Sequence, residues 1–64
     1  MSEADVKSLV GLSIKEAEKT VHEAGFNFRI SCQDGVPIPV TADYRRDRVD
    51  VTTFAGKVTH AEIG

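Results

Sequence analysis

The sequence predicts an α+β domain: a single helix packed on a small β-sheet, with a long exposed loop between the first two main strands. Three observations carry that expectation. A capped segment with helical periodicity ends at Gly25. Two segments, one from Phe26 and one from near Arg48, alternate apolar and polar residues. Between them, residues 33–47 (QDGVPIPVTADYRRD) follow neither period. All of this fits one domain spanning 1–64, in which residues 1–8 are expected to be a loosely ordered N-terminal segment.

The helix is the clearest element. Ser13 stands three residues before Glu16, the S-x-x-E capping box, and Leu12 with Ala17 can form a hydrophobic staple across it. Ile14, Ala17, Val21 and Ala24 recur at helical spacing, while Lys15, Glu16, Glu18, Lys19, His22 and Glu23 cover the other side. Gly25 is a residue suited to positive φ just past a helix end. The helix is placed at 14–24.

A strand follows. Phe26, Phe28, Ile30 and Cys32 alternate with Asn27, Arg29, Ser31 and Gln33. The second strand starts near Arg48, with Val49 and Val51 inward, and its pattern stumbles at Thr53-Phe54, as at a bulge or the start of a turn. Ala55-Gly56 reads as a turn into a last strand at 57–62. The facing of that strand is ambiguous, because Val58 and His60 share one side and Thr59, Ala61 and Ile63 the other.

Size bounds the function. At 64 residues, a chain buries only about 60% of the surface its unfolded form exposes. An enclosed pocket of ~300–1,000 Å³ would take most of that interior. A cofactor enzyme is therefore not expected, and action through the surface is. Hydrophobic residues make up 41% and charged residues 28%, with a formal charge of −2. The charges divide evenly between the halves, leaving no basic lobe for nucleic acid. No apolar run approaches the ~20 residues that span a membrane. The start, MSEADVKSLV, lacks the basic region and apolar run of a signal peptide. With one cysteine, Cys32, no internal disulfide can form. A cytoplasmic monomer is the expectation, or a secreted one if a leader has been removed.

Isolated reactive residues carry little. Cys32 with His22 or His60 lacks any nucleophile–base spacing, and Cys32 reads as a buried structural residue on an apolar strand face. No C-x-x-C or H-x-x-x-H spacing is present, so no metal and no cofactor are expected. Tyr44-Arg45-Arg46-Asp47-Arg48 could bind phosphate or stack on a base, or be a merely solvated charge run. Asp43, Asp47 and Asp50 interleave with the arginines, however, and suit internal pairing through the guanidinium fork better.

The long loop is more informative, because loops beyond about 12–15 residues are uncommon in compact domains and are usually functional or disordered. Asp34-Gly35 reads as a turn, and Pro37 and Pro39 fix two φ angles and bias Val36 and Ile38 to extended conformations. The expectation is a stiffened ribbon presenting Val40-Thr41-Ala42-Asp43-Tyr44 outward, with arginines downstream to brace it. Protease clefts bind extended peptides by strand addition, and prior stiffening lowers the ordering cost of binding. Such a ribbon would act as a substrate mimic.

GLSIKEAEKTVHEAG followed by a β segment resembles the opening of the potato inhibitor I family of serine protease inhibitors, which includes the eglins. PVTADYRRDRV resembles that family's reactive loop and the arginine-bearing strand after it. The related short bacterial and fungal elastase inhibitors carry a similar T-x-D-Y-R-x-D-R segment and endings like GKVTHAEIG. The resemblance covers residues 9–64. It implies a mixed sheet whose first two main strands pair in parallel, with the loop, 33–47, as their crossover. It further implies a reactive bond at Ala42–Asp43, protease contacts from Pro39, Val40, Thr41, Tyr44 and Arg45, and bracing of Thr41 and Asp43 by Arg48. Asp50 departs from the pattern, since potato inhibitor I members usually carry a second bracing arginine there. The implied partner is a serine protease. The small Ala42 side chain would leave a deep basic-residue pocket empty, so elastase- or subtilisin-like targets fit better than trypsin-like ones. A non-inhibitory interaction module on the same scaffold is the alternative.

Overall fold

The computed structural model describes residues 3–39 and 45–64. Among these, two helices, α1 (Glu3–Lys7) and α2 (Ile14–Glu23), precede four strands: β1 (Asn27–Gln33), β2 (Val36–Pro37), β3 (Arg48–Phe54) and β4 (Lys57–Ile63). The strands form one mixed sheet in the order β2-β1-β3-β4. β1 and β3 run parallel, and the β1–β2 and β3–β4 pairs are antiparallel. The fold is α+β.

α2 begins where its cap predicts. The Ser13 hydroxyl oxygen accepts the Glu16 backbone N–H at 3.2 Å, satisfying a donor that has no partner inside the helix. It ends in a Schellman motif. The Gly25 N–H donates to His22 O at 2.9 Å and the Phe26 N–H to Val21 O at 3.1 Å, with Gly25 at φ +81°. Ala17 and Val21, one turn apart, are fully buried, whereas Ala24, the C-cap, is exposed.

The core is aliphatic: Val6, Leu9, Ala17, Val21, Val49, Val51 and Val58. Val6 and Leu9 come from the N-terminal region. Residues 1–8, expected to be loose, instead include α1, which packs on β4 and places Val6 at 2% exposure. A core this thin gains from every added side chain, and each buried valine or leucine contributes about 1.5–3 kcal/mol of transfer free energy.

β3 lies at the centre and alternates without interruption. Val49, Val51 and Thr53 are buried with the core residues, and Arg48, Asp50, Thr52 and Phe54 alternate with them. The irregularity expected at Thr53-Phe54 belongs to β4. Thr53 pairs with Val58 but Thr52 pairs with His60, so Thr59 is the extra residue, its hydroxyl donating to Thr52 O at 3.2 Å. The bulge shifts the facing of β4 by one residue. That is how Val58 on one side of it, and Ala61 and Ile63 on the other, all pack against the core.

A second register shift, between Ile30 and Cys32, changes the reading of the cysteine. Phe28 and Ile30 pair with Val49 and Val51, but Cys32 pairs with Thr52. It is a half-buried free thiol, not a fully buried one on the apolar face.

Both hairpins turn on two residues at positive φ: Asp34 (53°) with Gly35 (78°), and Ala55 (53°) with Gly56 (80°). This is the type I′ geometry that suits the twist of a hairpin. The turns are tied together, because the Asp34 N–H donates to Thr53 O at 2.9 Å and the Ala55 N–H to Asp34 Oδ1 at 2.7 Å.

Two stability predictions follow from these sites. The Thr53 hydroxyl is buried without a hydrogen-bond partner, so Thr53→Val is expected to stabilise the fold by about 1 kcal/mol in denaturant unfolding. Ala55 takes a left-handed conformation that Asn tolerates better. Ala55→Asn should therefore raise stability by about 0.5–1 kcal/mol, seen as a higher midpoint with an unchanged denaturant slope.

Candidate functional site

Parallel pairing requires the chain leaving β1 to travel back along the sheet before it can enter β3. The segment doing so was expected to span 33–47 without regular structure. Its first residues are regular: Gln33 closes β1, and Val36 and Pro37 form β2 by pairing with Gln33 and Cys32. The Ile38 N–H then donates to Ser31 O at 3.0 Å. Pro39, exposed, is the last described residue of this stem.

The other stem is fastened where β1 begins. The Asp47 carbonyl accepts the Asn27 N–H at 2.7 Å, and the Asn27 side-chain amide lies 3.4 Å from Asp47 Oδ2. Arg45 grips the Asp47 carboxylate with a fork, Nε to Oδ1 and Nη2 to Oδ2, both at 3.1 Å. That hydrogen bond is the main cause holding the Asp47 carboxyl below the ordinary carboxylate pKa. Both side chains are about half exposed, so the pair organises the turn more than it stabilises the fold.

Arg48 reaches Gly64 and Asp50, while Thr41 and Asp43, the residues it was expected to brace, lie outside the described residues. Arg48 is 9% exposed, and its Nε donates to Gly64 O at 2.9 Å. The Gly64 N–H in turn donates to Arg48 O at 3.0 Å. The Arg48 Nε also lies 3.4 Å from Asp50 Oδ1. Asp50, the position where the resemblance implies an arginine, holds a buried carboxylate taken up chiefly by Arg29. Arginines 45 and 48 are thus paired with the interleaved aspartates, as their spacing suggests.

Of the residues assigned to the site from sequence, Pro39, Arg45 and Arg48 lie on the two stems. Val40, Thr41, Ala42, Asp43 and Tyr44 lie outside the described residues. Arg29 was missed by sequence reasoning. Its signal was an arginine on the polar side of the first strand, matched by an acid on the polar side of the next main strand. Among the described residues, no group of three or more His, Cys, Asp or Glu side chains could hold a metal ion, and no helix is long and apolar enough to cross a membrane. No protein-family model matches the chain, and no curated protein or solved structure matches it significantly.

The Arg45–Asp47 fork gives a pH prediction. A carboxyl whose pKa is depressed on folding contributes stability above its unfolded pKa and loses it as pH falls through the folded one. The Asp47 carboxyl resonance should titrate below the usual carboxylate range in the wild type. In Arg45→Ala its midpoint should move up, which an NMR titration of the side-chain carbon reads directly.

Proposed function

We propose that this chain is a substrate-like, reversible inhibitor of a serine protease of elastase or subtilisin type, acting through the segment centred on Ala42–Asp43. The observation that carries the proposal is the fastening of both stems of the connection between β2 and β3. One is tied to Ser31 and the other to Asn27, with the buried Arg48 at the entrance to β3. The tie points lie four residues apart on β1, roughly 13 Å along the strand. The chain from Ile38 to Asp47 could reach roughly 30 Å if extended. That surplus of length between two fixed ends suits a segment offered to a protease cleft. Fixed ends reduce the ordering cost when a protease engages it, and they would keep the termini of a cut bond close enough to rejoin.

Pro37 and Pro39 support the same reading by restricting the entry stem. The mixed-sign pairing of Arg45, Asp47, Arg48 and Asp50 leaves the exit stem better suited to holding its own backbone than to binding phosphate.

The proposal is tested by titrating the protein against subtilisin, pancreatic elastase, chymotrypsin and trypsin. Inhibition of subtilisin or elastase at micromolar concentration or below is expected, with trypsin least affected. Ala42→Leu should shift the profile toward chymotrypsin, since filling an apolar pocket is worth up to about 1.5–3 kcal/mol. Inhibition of none of the four, with rapid digestion by subtilisin, would instead favour a non-inhibitory interaction module. A profile indifferent to residue 42 would mean that the reactive bond lies elsewhere.

A further inference from the structure

The sheet has two edges, β2 and β4, and their backbones offer different things. On β2 the Ile38 N–H turns inward to Ser31 O, so its neighbour Pro37 faces outward and has no N–H to give. Proline thus closes that edge to regular pairing. On β4 the first residues are already covered. The Gly11 N–H donates to Val58 O at 2.8 Å, and the Val58 N–H to Leu12 O at 2.9 Å. At the far end, the Gly64 N–H turns inward to Arg48 O. Backbone direction alternates along an antiparallel ladder, so Glu62 also turns inward while Ala61 and Ile63 turn outward. Among the described residues, no backbone hydrogen bond from outside the sheet reaches Ala61 or Ile63.

The side chains of this stretch carry opposite charges at alternate positions. His60 and Glu62 lie on the sheet face away from the core, as partners of Thr52 and Asp50, and are 67% and 66% exposed. Within the chain they stand 4.0 Å apart, too far for a hydrogen bond. Like charges along an edge keep other strands away, but this pair complements itself. Where a second β4 runs antiparallel about a two-fold axis at Ala61, His60 of each copy stands directly opposite Glu62 of the other. An axis at Glu62 would oppose two carboxylates, and one at His60 two imidazoles, so charge selects the register. We infer that the β4 edge is an isologous interface through which two copies of this chain associate weakly, β4 against β4. The occupant is a second copy because the edge matches itself, while Pro37 leaves β2 a poor partner for it. The two-fold contact therefore closes at two subunits. The bulge at Thr59 confines the pairing to residues 60–63, so the contact falls below the roughly 1,000 Å² of stable complexes. The expected monomer is then the dilute form. This interface stands apart from the inhibitor reading, since β3 separates it from β1, to which both stems of the connection are tied.

The test is sedimentation equilibrium of the full chain over a concentration series, with amide NMR spectra recorded across the same dilution. A monomer–dimer equilibrium is expected, half-associated at roughly 0.1–1 mM, and dilution should shift the Ala61 and Ile63 amides most. His60→Glu opposes carboxylates twice across the axis and should weaken association at least about tenfold. Adding Glu62→Lys to that variant reverses the sign at both positions and should bring association back to within about threefold of the wild type. Ala61→Pro removes an outward N–H at an edge position and should abolish association, with the melting temperature reporting that the fold is kept. If Ala61→Pro does not fold, the two charge variants decide the matter. A chain still wholly monomeric at about 2 mM would overturn the inference. So would association indifferent to His60→Glu, a reversed pair that restores nothing, or dilution shifts confined to residues outside β4. None of these outcomes bears on protease inhibition.

Discussion

The parallel pairing of β1 with β3 is the constraint on which the rest of this structure depends. Antiparallel neighbours can be joined by two residues, as β3 and β4 are at Ala55-Gly56. Parallel neighbours need a return path along the whole strand, and in most proteins a helix supplies it. Here the path comprises the short β2 and the connection from Ile38 to Asp47. A long connection is therefore a requirement of the topology before it is anything else, and its two stems are fixed because β1 fixes them.

β3 makes that pairing durable by using its two faces differently. Toward the core, Val49 and Val51 are wholly buried with Val21 and Val58. Toward the other side, Asp50 receives Arg29 and Arg48. Apolar burial supplies most of the stabilisation, because an ion pair withdrawn from water returns little more than its desolvation cost. The ionic face contributes specificity instead. A one-residue slip between parallel strands would set the Asp50 carboxylate against an apolar partner and strand a buried charge.

What could be read from the chain alone was what short-range chemistry specifies. Ser13 and Gly25 bound α2 because caps act within a single turn. Asp34-Gly35 and Ala55-Gly56 mark turns through local backbone preferences. α1 was not legible, because five residues do not overcome the cost of helix nucleation by themselves. It forms where Val6 and Leu9 find the core and α1 meets β4. The facing of β4 and of Cys32 was equally hidden, since each follows a register shift that only the partner strand defines.

The same division runs through the candidate site. The sequence by itself determined that a proline-bearing stretch separates two strands and that arginines and aspartates alternate at its far end, because composition and spacing are written in the chain. Only the tertiary structure decided which acid meets which arginine. Arg45 found Asp47 two residues away, a pairing within reach of local geometry. Arg29 found Asp50 across the sheet, twenty-one positions along the chain. Parallel register alone brings those two together, and register comes from the apolar faces of β1 and β3 packing against one core.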